Sequence, residues 1–422
     1  MQLLSGNKLK VLKVFFTYLI IIVIWSIFSF GMAFQGWWME GVAERGNHIK
    51  FFEWAVNEID EKNKGTASLI LIEDGEIVRQ FYKGNVNENT LFPTASFSKW
   101  ITALAVMSLA EKNQVDLDAP VSNYLSYWQL PSSDFNNSEV TVRRLLSHTA
   151  GLTDKLGFGD YKSDETLPSL VDELKNPRAS NGLEATIIVG QEPGGEFNYS
   201  GGGYLILQLL VEEVSGVEFT KFVTDTLLIP VGMQRSNYEF LGIQDNVSSS
   251  FYIDGSIAPT YKYASAAATS FSSSVSDLSK LVLAILKKED FPLKTDTLES
   301  MLEPHGFSFG SGIWGLGTML YVKGPKGNFV FGHDGVNDPA INASVRINPE
   351  TSDGIVMLVS GHPALASNIG SEWVIWQTGY PDFLSTERVL KSALIPTLLG
   401  IILILLLAGV QASRAQSNVK SE

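Results

Sequence analysis

The sequence predicts an α+β fold in which both ends of an ectodomain form one antiparallel sheet around a helical subdomain, with a transmembrane helix at each flank. Strand-like patterns occur at residues 66–84, around an Asp-Gly turn, and again from 313 to 361. The stretch from 115 to 300 has mainly helical patterns separated by Gly- and Ser-rich turns. Long uncharged apolar runs stand near both ends of the 422-residue chain.

The first apolar run, residues 14–38, contains no charged residue and is long enough to cross a bilayer. Three lysines precede it, which predicts a cytoplasmic tail at residues 1–13 and a membrane anchor at 14–38. A cleaved signal peptide is the alternative, because small residues stand near the end of the run. The length of the run favours the anchor.

The second apolar run, residues 392–413, lies between Lys391 and Arg414 and predicts a second transmembrane helix followed by a cytoplasmic tail at 414–422. A buried core helix is the alternative for this run. Two spans place both termini in the cytoplasm and the segment between them outside it. We therefore expect a protein of the cell membrane, with the lipid bilayer as a partner and the globular domain extracytoplasmic.

Composition excludes several function classes. The formal net charge of −14 argues against nucleic acid as a partner, because phosphate binding requires a surplus of Lys and Arg. The absence of cysteine excludes disulfides, thiolate metal sites and cysteine nucleophiles. The five histidines form no close ligand pair, so we expect no metal and no cofactor.

The candidate nucleophile is Ser96, at the start of a predicted buried helix over residues 96–112. Lys99 follows at a spacing that puts the hydroxyl and the amine on one helical face. A serine hydroxyl needs a base to become nucleophilic, and a lysine in an apolar wall loses basicity and can serve as that base. The same Ser-x-x-Lys spacing recurs at residues 5–8 and 417–420, so the pattern alone is weak.

Four ordered motifs give Ser96 its context. TASFSKW is followed by LLSHTAGL, EFNYSGGGY and FGHDG, which begin at Thr94, Leu145, Glu196 and Phe331. In order and spacing they resemble the serine β-lactamase and penicillin-binding-protein superfamily. The likeness is greatest to its class C-like branch of esterases, D-aminopeptidases and D,D-carboxypeptidases, and covers residues 48–380. The resemblance implies a bacterial source and a β-lactamase/transpeptidase-like domain over that range.

The resemblance also implies roles for single residues. Ser96 is the nucleophile that becomes acylated, Lys99 is its proton partner, and Tyr199 is a second acid/base group near the leaving group. Family members usually carry Tyr-x-Asn at the third motif, whereas this chain has Gly201 in place of the Asn. The amide that normally helps to hold a substrate is therefore missing, which leaves smaller ester or amide substrates open.

The fourth motif predicts the substrate-binding strand. His333 stands where many relatives have Lys, and we expect it to supply a donor that titrates near pH 7. Gly335 lets the strand approach substrate closely. The backbone N–H of Val336 is the expected second oxyanion donor beside that of Ser96. Asp334 is expected to line or flank the cleft.

Two further residues carry alternative or structural interpretations. His148, in the second motif, is expected to be structural and to bond backbone in a turn. Residues 306–310 match Gly-x-Ser-x-Gly, the nucleophile elbow of α/β-hydrolases, with Ser308 at the centre. An elbow needs a strand before the serine and a helix after it, and the surrounding pattern predicts neither.

The function predicted is that of a membrane-anchored extracytoplasmic serine hydrolase that forms an acyl-enzyme at Ser96 and acts on esters, amides or D-amino-acid peptides. The alternative is a non-hydrolytic penicillin-recognising binding or sensor protein of the same fold. Substrate specificity is expected to lie in the loop region 153–192. The partner is thus a small-molecule or peptide substrate, and the sequence leaves the oligomeric state undetermined.

Overall fold

A computed structural model of the chain describes residues 6–154, 159–179, 185–288 and 291–420. The β-strands are β1 Thr66–Glu73, β2 Glu76–Lys83, β3 Phe92–Pro93, β4 Ser272–Ser273, β5 Gly306–Ser308, β6 Ser311–Trp314, β7 Met319–Lys323, β8 Phe329–Asn337, β9 Ile341–Asn348 and β10 Asp353–Ser360. The longer helices are α1 Gly6–Phe34, α2 His48–Lys62, α3 Ser98–Glu111, α6 Gly202–Ser215, α9 Val275–Lys287, α11 Leu365–Thr378 and α12 Thr386–Lys420. The short helices are α4 Val142–Leu146, α5 Leu170–Lys175, α7 Phe219–Val223, α8 Ile229–Val231 and α10 Thr295–Ser300.

The main sheet has eight antiparallel strands in the order β2-β1-β10-β9-β8-β7-β6-β5. β1 therefore pairs with the last strand, β10, and β2 pairs with β1, which confirms the prediction that both ends of the domain complete one sheet. The predicted turn joins β1 to β2, and both Asp74 and Gly75 have positive φ there. The short strands β3 and β4 form a second ladder beside the sheet.

The two faces of the main sheet carry different layers. One face packs against the helical region through a core that includes Phe97, Trp100, Tyr204 and Phe271. The other face is covered by α2 and α11, where Phe51 stacks on Trp376 with ring centroids 4.8 Å apart. Because successive strand residues point to opposite faces, neighbouring residues of β8 enter different layers.

The two apolar runs form the long helices α1 and α12, which lie side by side. Trp25 Nε1 donates to the Thr397 carbonyl at 3.2 Å, and the Ser29 and Thr397 hydroxyls lie 2.9 Å apart. Residues 12–34 and 386–413 are long and apolar enough to cross a membrane. Parts of the two predicted tails, residues 1–5 and 421–422, lie outside the described residues.

Candidate active site

Ser96 lies in a tight 3₁₀ turn, Ala95–Phe97, directly before α3, whereas the sequence predicts an α-helix from that residue. The turn departs from the helix because Ala95 has a φ of 50°, which is unusual for a residue with a Cβ. Ser98 holds it in place, since its Oγ donates to the Ala95 carbonyl at 2.7 Å and accepts from the Phe271 N–H at 3.0 Å. The candidate nucleophile Ser96 therefore lies in a turn whose backbone is held in place by hydrogen bonds.

Lys99 points from the first turn of α3 to Ser96. Its Nζ lies 3.2 Å from Ser96 Oγ and donates to the Ala268 carbonyl at 3.0 Å. The side chain is 1% exposed, and burial lowers the pKa of Lys99 to about 7 although Asp154 acts in the opposite sense. A lysine with a pKa lowered to this range can be neutral at physiological pH, as a proton acceptor requires.

Tyr199 covers the same pair of residues from the loop before α6. Its ring centroid lies 5.0 Å from Lys99 Nζ, and its hydroxyl is hydrogen-bonded to Ser96. Burial raises the pKa of the Tyr199 phenol well above its usual value. The tyrosine is therefore protonated at neutral pH, and its O–H is available to donate.

His148 braces Tyr199 from behind, as expected for a structural residue. Its Nδ1 accepts from the Ser200 N–H at 3.1 Å, and its ring lies 4.4 Å from that of Tyr199. The residue has a φ of 57° and is 2% exposed. Burial, with a contribution from the charge of Lys99, lowers the pKa of His148 well below its usual value.

Strand β8 approaches the nucleophile turn at Gly335. A Cβ at this position would lie 2.0 Å from the Thr94 carbonyl oxygen and 2.9 Å from the Phe97 nitrogen, so only glycine fits. Val336 follows with its side chain half exposed. The predicted residues Ser96, Lys99, Tyr199, Gly335 and Val336 thus meet in one region of the fold.

The expectation that His333 titrates near pH 7 is wrong. The ring is fully buried, and burial together with the nearby charge of Lys99 lowers the pKa of His333 to about 4. Its Nδ1 lies 2.6 Å from the Asp334 carbonyl oxygen, which can only accept, so Nδ1 carries the proton. His333 is therefore a neutral residue beneath the site. It lies on the face of β8 that packs towards Lys99 of α3.

The expectation that Asp334 lines the cleft is also wrong. Asp334 points to the opposite face of β8, because neighbouring strand residues alternate. Its carboxylate accepts from the Tyr321 hydroxyl at 2.8 Å, the Ser344 hydroxyl at 2.7 Å and Arg346 Nη2 at 3.0 Å. The residue is 7% exposed, and its role is to tie β8 to β7 and β9.

Sequence reasoning missed Asp154 and the Ala268 carbonyl. Asp154 Oδ1 accepts from the Ser200 hydroxyl at 2.5 Å, and Oδ2 accepts from the Gly202 N–H at 2.8 Å. It thereby fixes the loop that carries Tyr199 and places a carboxylate near Lys99. The only available signal was an Asp two residues after the second motif, and no spacing rule links it to α6.

The Ser308 alternative is not supported by the local structure. Ser308 ends β5, and the chain turns at Phe309 and Gly310, which both have positive φ, into the antiparallel strand β6. A nucleophile elbow requires a helix after the serine. This serine is therefore the tip of a hairpin.

The predicted specificity region, 153–192, is described only in part, because residues 155–158 and 180–184 lie outside the described residues. The described part contains the buried pair Tyr161 and Glu173, whose hydroxyl and carboxylate lie 2.9 Å apart. At the end of β8, next to the candidate site, all residues are described. There Asn337 Nδ2 donates to the Tyr263 hydroxyl at 3.0 Å.

Two curated relatives match part of this chain. Penicillin-binding protein 4* of Bacillus subtilis (strain 168) is 28% identical over 202 residues, which are 45% of this chain and 42% of that protein. Protein flp of Staphylococcus aureus is 26% identical over 185 residues, 41% of this chain and 34% of that protein. The matched segment thus spans less than half the length of these curated relatives.

Solved structures show the same fold. An octameric penicillin-binding protein homologue from Pyrococcus abyssi has a TM-score of 0.64 at 24% identity, covering 81% of each chain. The D-amino acid amidase from Ochrobactrum anthropi SV3 has a TM-score of 0.60 at 19% identity, covering 81% of this chain and 96% of that one. The family described as Beta-lactamase matches residues 53–379, which is more than half of the chain and contains all four motifs. The protein therefore belongs to the Beta-lactamase family.

Proposed function

We propose that the chain is a membrane-anchored serine hydrolase that forms an acyl-enzyme at Ser96 with esters or amides, including D-amino-acid peptides. The observation that carries the proposal is the contact of 3.2 Å between Lys99 Nζ and Ser96 Oγ, with the pKa of Lys99 lowered to about 7. A buried amine of that basicity beside a serine can remove the hydroxyl proton at neutral pH.

The acylation step follows from these positions. Neutral Lys99 takes the proton of Ser96 as Oγ attacks the substrate carbonyl carbon. The negative charge that develops on the carbonyl oxygen is stabilised by the backbone N–H groups of Ser96 and Val336. Tyr199 donates its proton to the leaving nitrogen or oxygen as the bond to the acyl carbon breaks, and it regains a proton from Lys99. The acyl group then stays on Ser96 as an ester.

Water completes the reaction by attacking the acyl carbon. Lys99 or Tyr199 accepts the proton of this water, and Ser96 Oγ leaves with a proton, which restores the starting state. His333 stays neutral during the cycle because its pKa lies near 4. Its part is to fill the space beneath Lys99 without adding a second positive charge.

The substrate class is inferred from the site and the relatives. Gly201 removes the amide side chain that usually contacts an acyl-amino substrate, which favours compact esters and amides. The relatives include a protein named a D-amino acid amidase and others named penicillin-binding proteins. Small D-amino-acid amides or peptides and esters are therefore the first substrates to test.

Helices α1 and α12 support membrane attachment. Their apolar segments, 12–34 and 386–413, are mostly exposed on the protein, and they pack mainly against each other. A bilayer would cover these surfaces. The lysines near residue 10 then place both termini in the cytoplasm and the hydrolase domain outside it.

The second candidate function is a sensor or binding protein that is acylated but does not turn over. Gly201 is the observation that favours it, because the missing amide could slow the chemistry of amide substrates. The test below separates the two functions through the stability of the adduct.

The experiment is intact-protein mass spectrometry of the full chain in detergent after exposure to a fluorophosphonate, to a penicillin and to a p-nitrophenyl ester. Ser96→Ala and Ser308→Ala are compared as a matched pair. The proposal predicts a fluorophosphonate adduct and ester turnover that only Ser96→Ala abolishes. A long-lived penicillin or ester adduct without turnover would favour the sensor, and an adduct that survives in Ser96→Ala would reject Ser96 as the nucleophile.

A further inference from the structure

A separate apolar cavity of about 530 Å³ lies behind the nucleophile helix. Trp100, Leu104, Met301 and Phe331 form its buried floor. The C-terminal end of α9 and residues 298–304 form one wall, and strands β7 to β9 form the other. Ser96, Lys99 and Tyr199 do not line it, so this cavity is distinct from the candidate active site.

The mouth of the cavity lies at the end of the sheet to which the long apolar helices are joined. Its outer residues are Lys323, at the end of β7, Asn328, in the turn before β8, and Ser352, in the turn between β9 and β10. The C-terminal end of α11 lies at the same end, because Asn348 Nδ2 donates to Gln377 Oε1 at 3.1 Å. The chain enters α12 shortly after α11.

The segment that follows α1 reaches this end as well, since Trp376 Nε1 donates to the Glu44 carbonyl at 2.8 Å. Both connections to the proposed membrane helices therefore lie at the same end of the sheet as the mouth, on the opposite face of the sheet. A membrane-dissolved molecule would meet the cavity at this end of the domain.

One lysine, Lys323, carries a positive charge at the mouth of the cavity. Lys323 is exposed, its Nζ lies 5.1 Å from the centre of the Phe329 ring, and within the described residues no carboxylate lies within 4.0 Å of it. Lys288, by contrast, is paired with Glu299 at 2.9 Å. Glu303 also lines the cavity and has no ion pair with Lys323. Among the described mouth residues, Lys323 is thus the cation without a carboxylate partner.

The apolar floor and the charged mouth together suit an amphiphilic ligand. A cavity lined by Trp, Leu, Met and Phe side chains holds few partners for water and suits hydrocarbon. Lys323, with Asn328 and Ser352 beside it, suits a carboxylate. A single apolar chain with an anionic end matches both parts.

We propose that this cavity binds a long-chain fatty acid taken up from the membrane, with its carboxylate at Lys323 and its tail on Trp100 and Leu104. The tail then contacts the residue next to Lys99 on α3, and the Trp100 ring in turn contacts Phe97 with centroids 5.6 Å apart. The proposal relies on membrane attachment for the supply of ligand and is independent of whether Ser96 is acylated.

The test uses the full chain in phosphatidylcholine nanodiscs with a diazirine-labelled palmitic acid. After illumination, adducts are mapped by peptide mass spectrometry. Leu302→Trp fills the cavity from a half-buried wall position, and Lys323→Glu repels the carboxylate. Leu283→Trp, half-buried on α9 outside the cavity, and Lys326→Glu, an exposed lysine of the same turn, are the matched controls.

We expect adducts on the peptides that contain Leu104, Leu302 or Phe329, reduced about tenfold by Leu302→Trp and by Lys323→Glu and unchanged in both controls. Lys323→Glu changes only a surface charge, so it remains informative if Leu302→Trp fails to fold. Adducts confined to α1 and α12, or equal yields in all folded variants, would overturn the proposal. Fluorophosphonate labelling of Ser96 in the same samples shows separately whether the hydrolase proposal holds.

Discussion

Two buried cations, Lys99 and Arg346, lie on the two sides of strand β8, and their surroundings differ. Lys99 is 1% exposed and contacts a serine hydroxyl, a carbonyl oxygen and aromatic rings. Arg346 is 0% exposed and is ion-paired with both Asp334 and Asp382. Burial opposes the charge in both cases, but only Arg346 has its pKa raised above the usual value, by those two carboxylates.

The difference shows why Lys99 can take part in proton transfer, whereas Arg346 has a structural role. A buried cation that is fully compensated stays charged at every accessible pH and ties elements together. Arg346 does this for β8, β9, α11 and the residues that precede α12. A buried amine with weaker compensation loses its proton near pH 7 and can exchange it with a neighbour.

Replacing Lys99 should affect activity and stability in opposite directions. Lys99→Met removes the proton acceptor, so we expect acylation of Ser96 to fall by roughly 10²–10⁴-fold. The pKa of Lys99 is lower in the folded state than in the unfolded one, so its charge opposes folding fully below pH 7 and ceases to do so above about 10.5. Lys99→Met should therefore raise the free energy of unfolding at pH 7 by up to about 4 kcal/mol.

The measurements are labelling kinetics and denaturant unfolding of the full chain in detergent. Lys112→Met, at the exposed C-terminal end of the same helix, is the control and should change neither quantity. A variant that is inactive and also less stable would contradict the assignment of Lys99 as a poised amine.

Replacing Arg346 should be destabilising. Arg346→Met leaves Asp334 and Asp382 buried without a counter-charge, so the free energy of unfolding should fall by about 3–5 kcal/mol. Arg388→Met breaks a partly exposed ion pair with Glu372 and a hydrogen bond to the Glu40 carbonyl, and should cost about 1–2 kcal/mol. Equal losses in the two variants, measured by thermal unfolding, would reject the contrast drawn between the two cations.

Replacing Gly335 tests the fit between β8 and the nucleophile turn. The Cβ of Gly335→Ala would meet the Thr94 carbonyl at 2.0 Å, so the strand must move away from Ser96. We expect acylation to slow by about 10²-fold, because a shift near 1 Å misplaces the oxyanion donors. Gly409→Ala, where a Cβ meets nothing within 4 Å, should leave the rate unchanged. A wild-type rate in Gly335→Ala would show that this contact does not position the site.

Replacing Asp154 should shift the pH profile of Ser96 acylation, and this is the smallest of the expected effects. The Asp154 charge raises the pKa of Lys99, so Asp154→Asn should move the midpoint of the acylation profile to lower pH. The other titratable groups around Lys99, which are His148, His333, Tyr199 and Tyr204, remain unchanged in this variant. Asp116→Asn, on an exposed loop, is the control. A midpoint that stays in place or rises would remove Asp154 from the electrostatics of the site.

Much of the fold could be predicted from local patterns. The β1–β2 turn and strands β7 to β10 of the C-terminal half follow from periodicity and turn residues, and the structure has them within the predicted regions 66–84 and 313–361. The 3₁₀ turn at Ser96 could not be predicted, because it depends on Ser98 bonding to Phe271, which is distant in sequence.

The site was predictable as a set of motifs but not in its electrostatics. The motifs named the residues that the fold brings together. They did not show that His333 is buried or that Asp334 faces the other layer, because burial depends on which face of β8 each side chain occupies. Asp154 was missed for a similar reason, since its partners Ser200 and Gly202 lie far along the chain.

The most direct test of the central claim is the rate of Ser96 acylation by a fluorophosphonate between pH 5 and pH 10. If neutral Lys99 is the proton acceptor, the rate should rise as Lys99 loses its proton and level off above a midpoint near pH 7. The rise should be absent in Lys99→Met. A rate that keeps increasing towards pH 10, as for a lysine with its ordinary pKa, or one that does not depend on Lys99, would contradict the account.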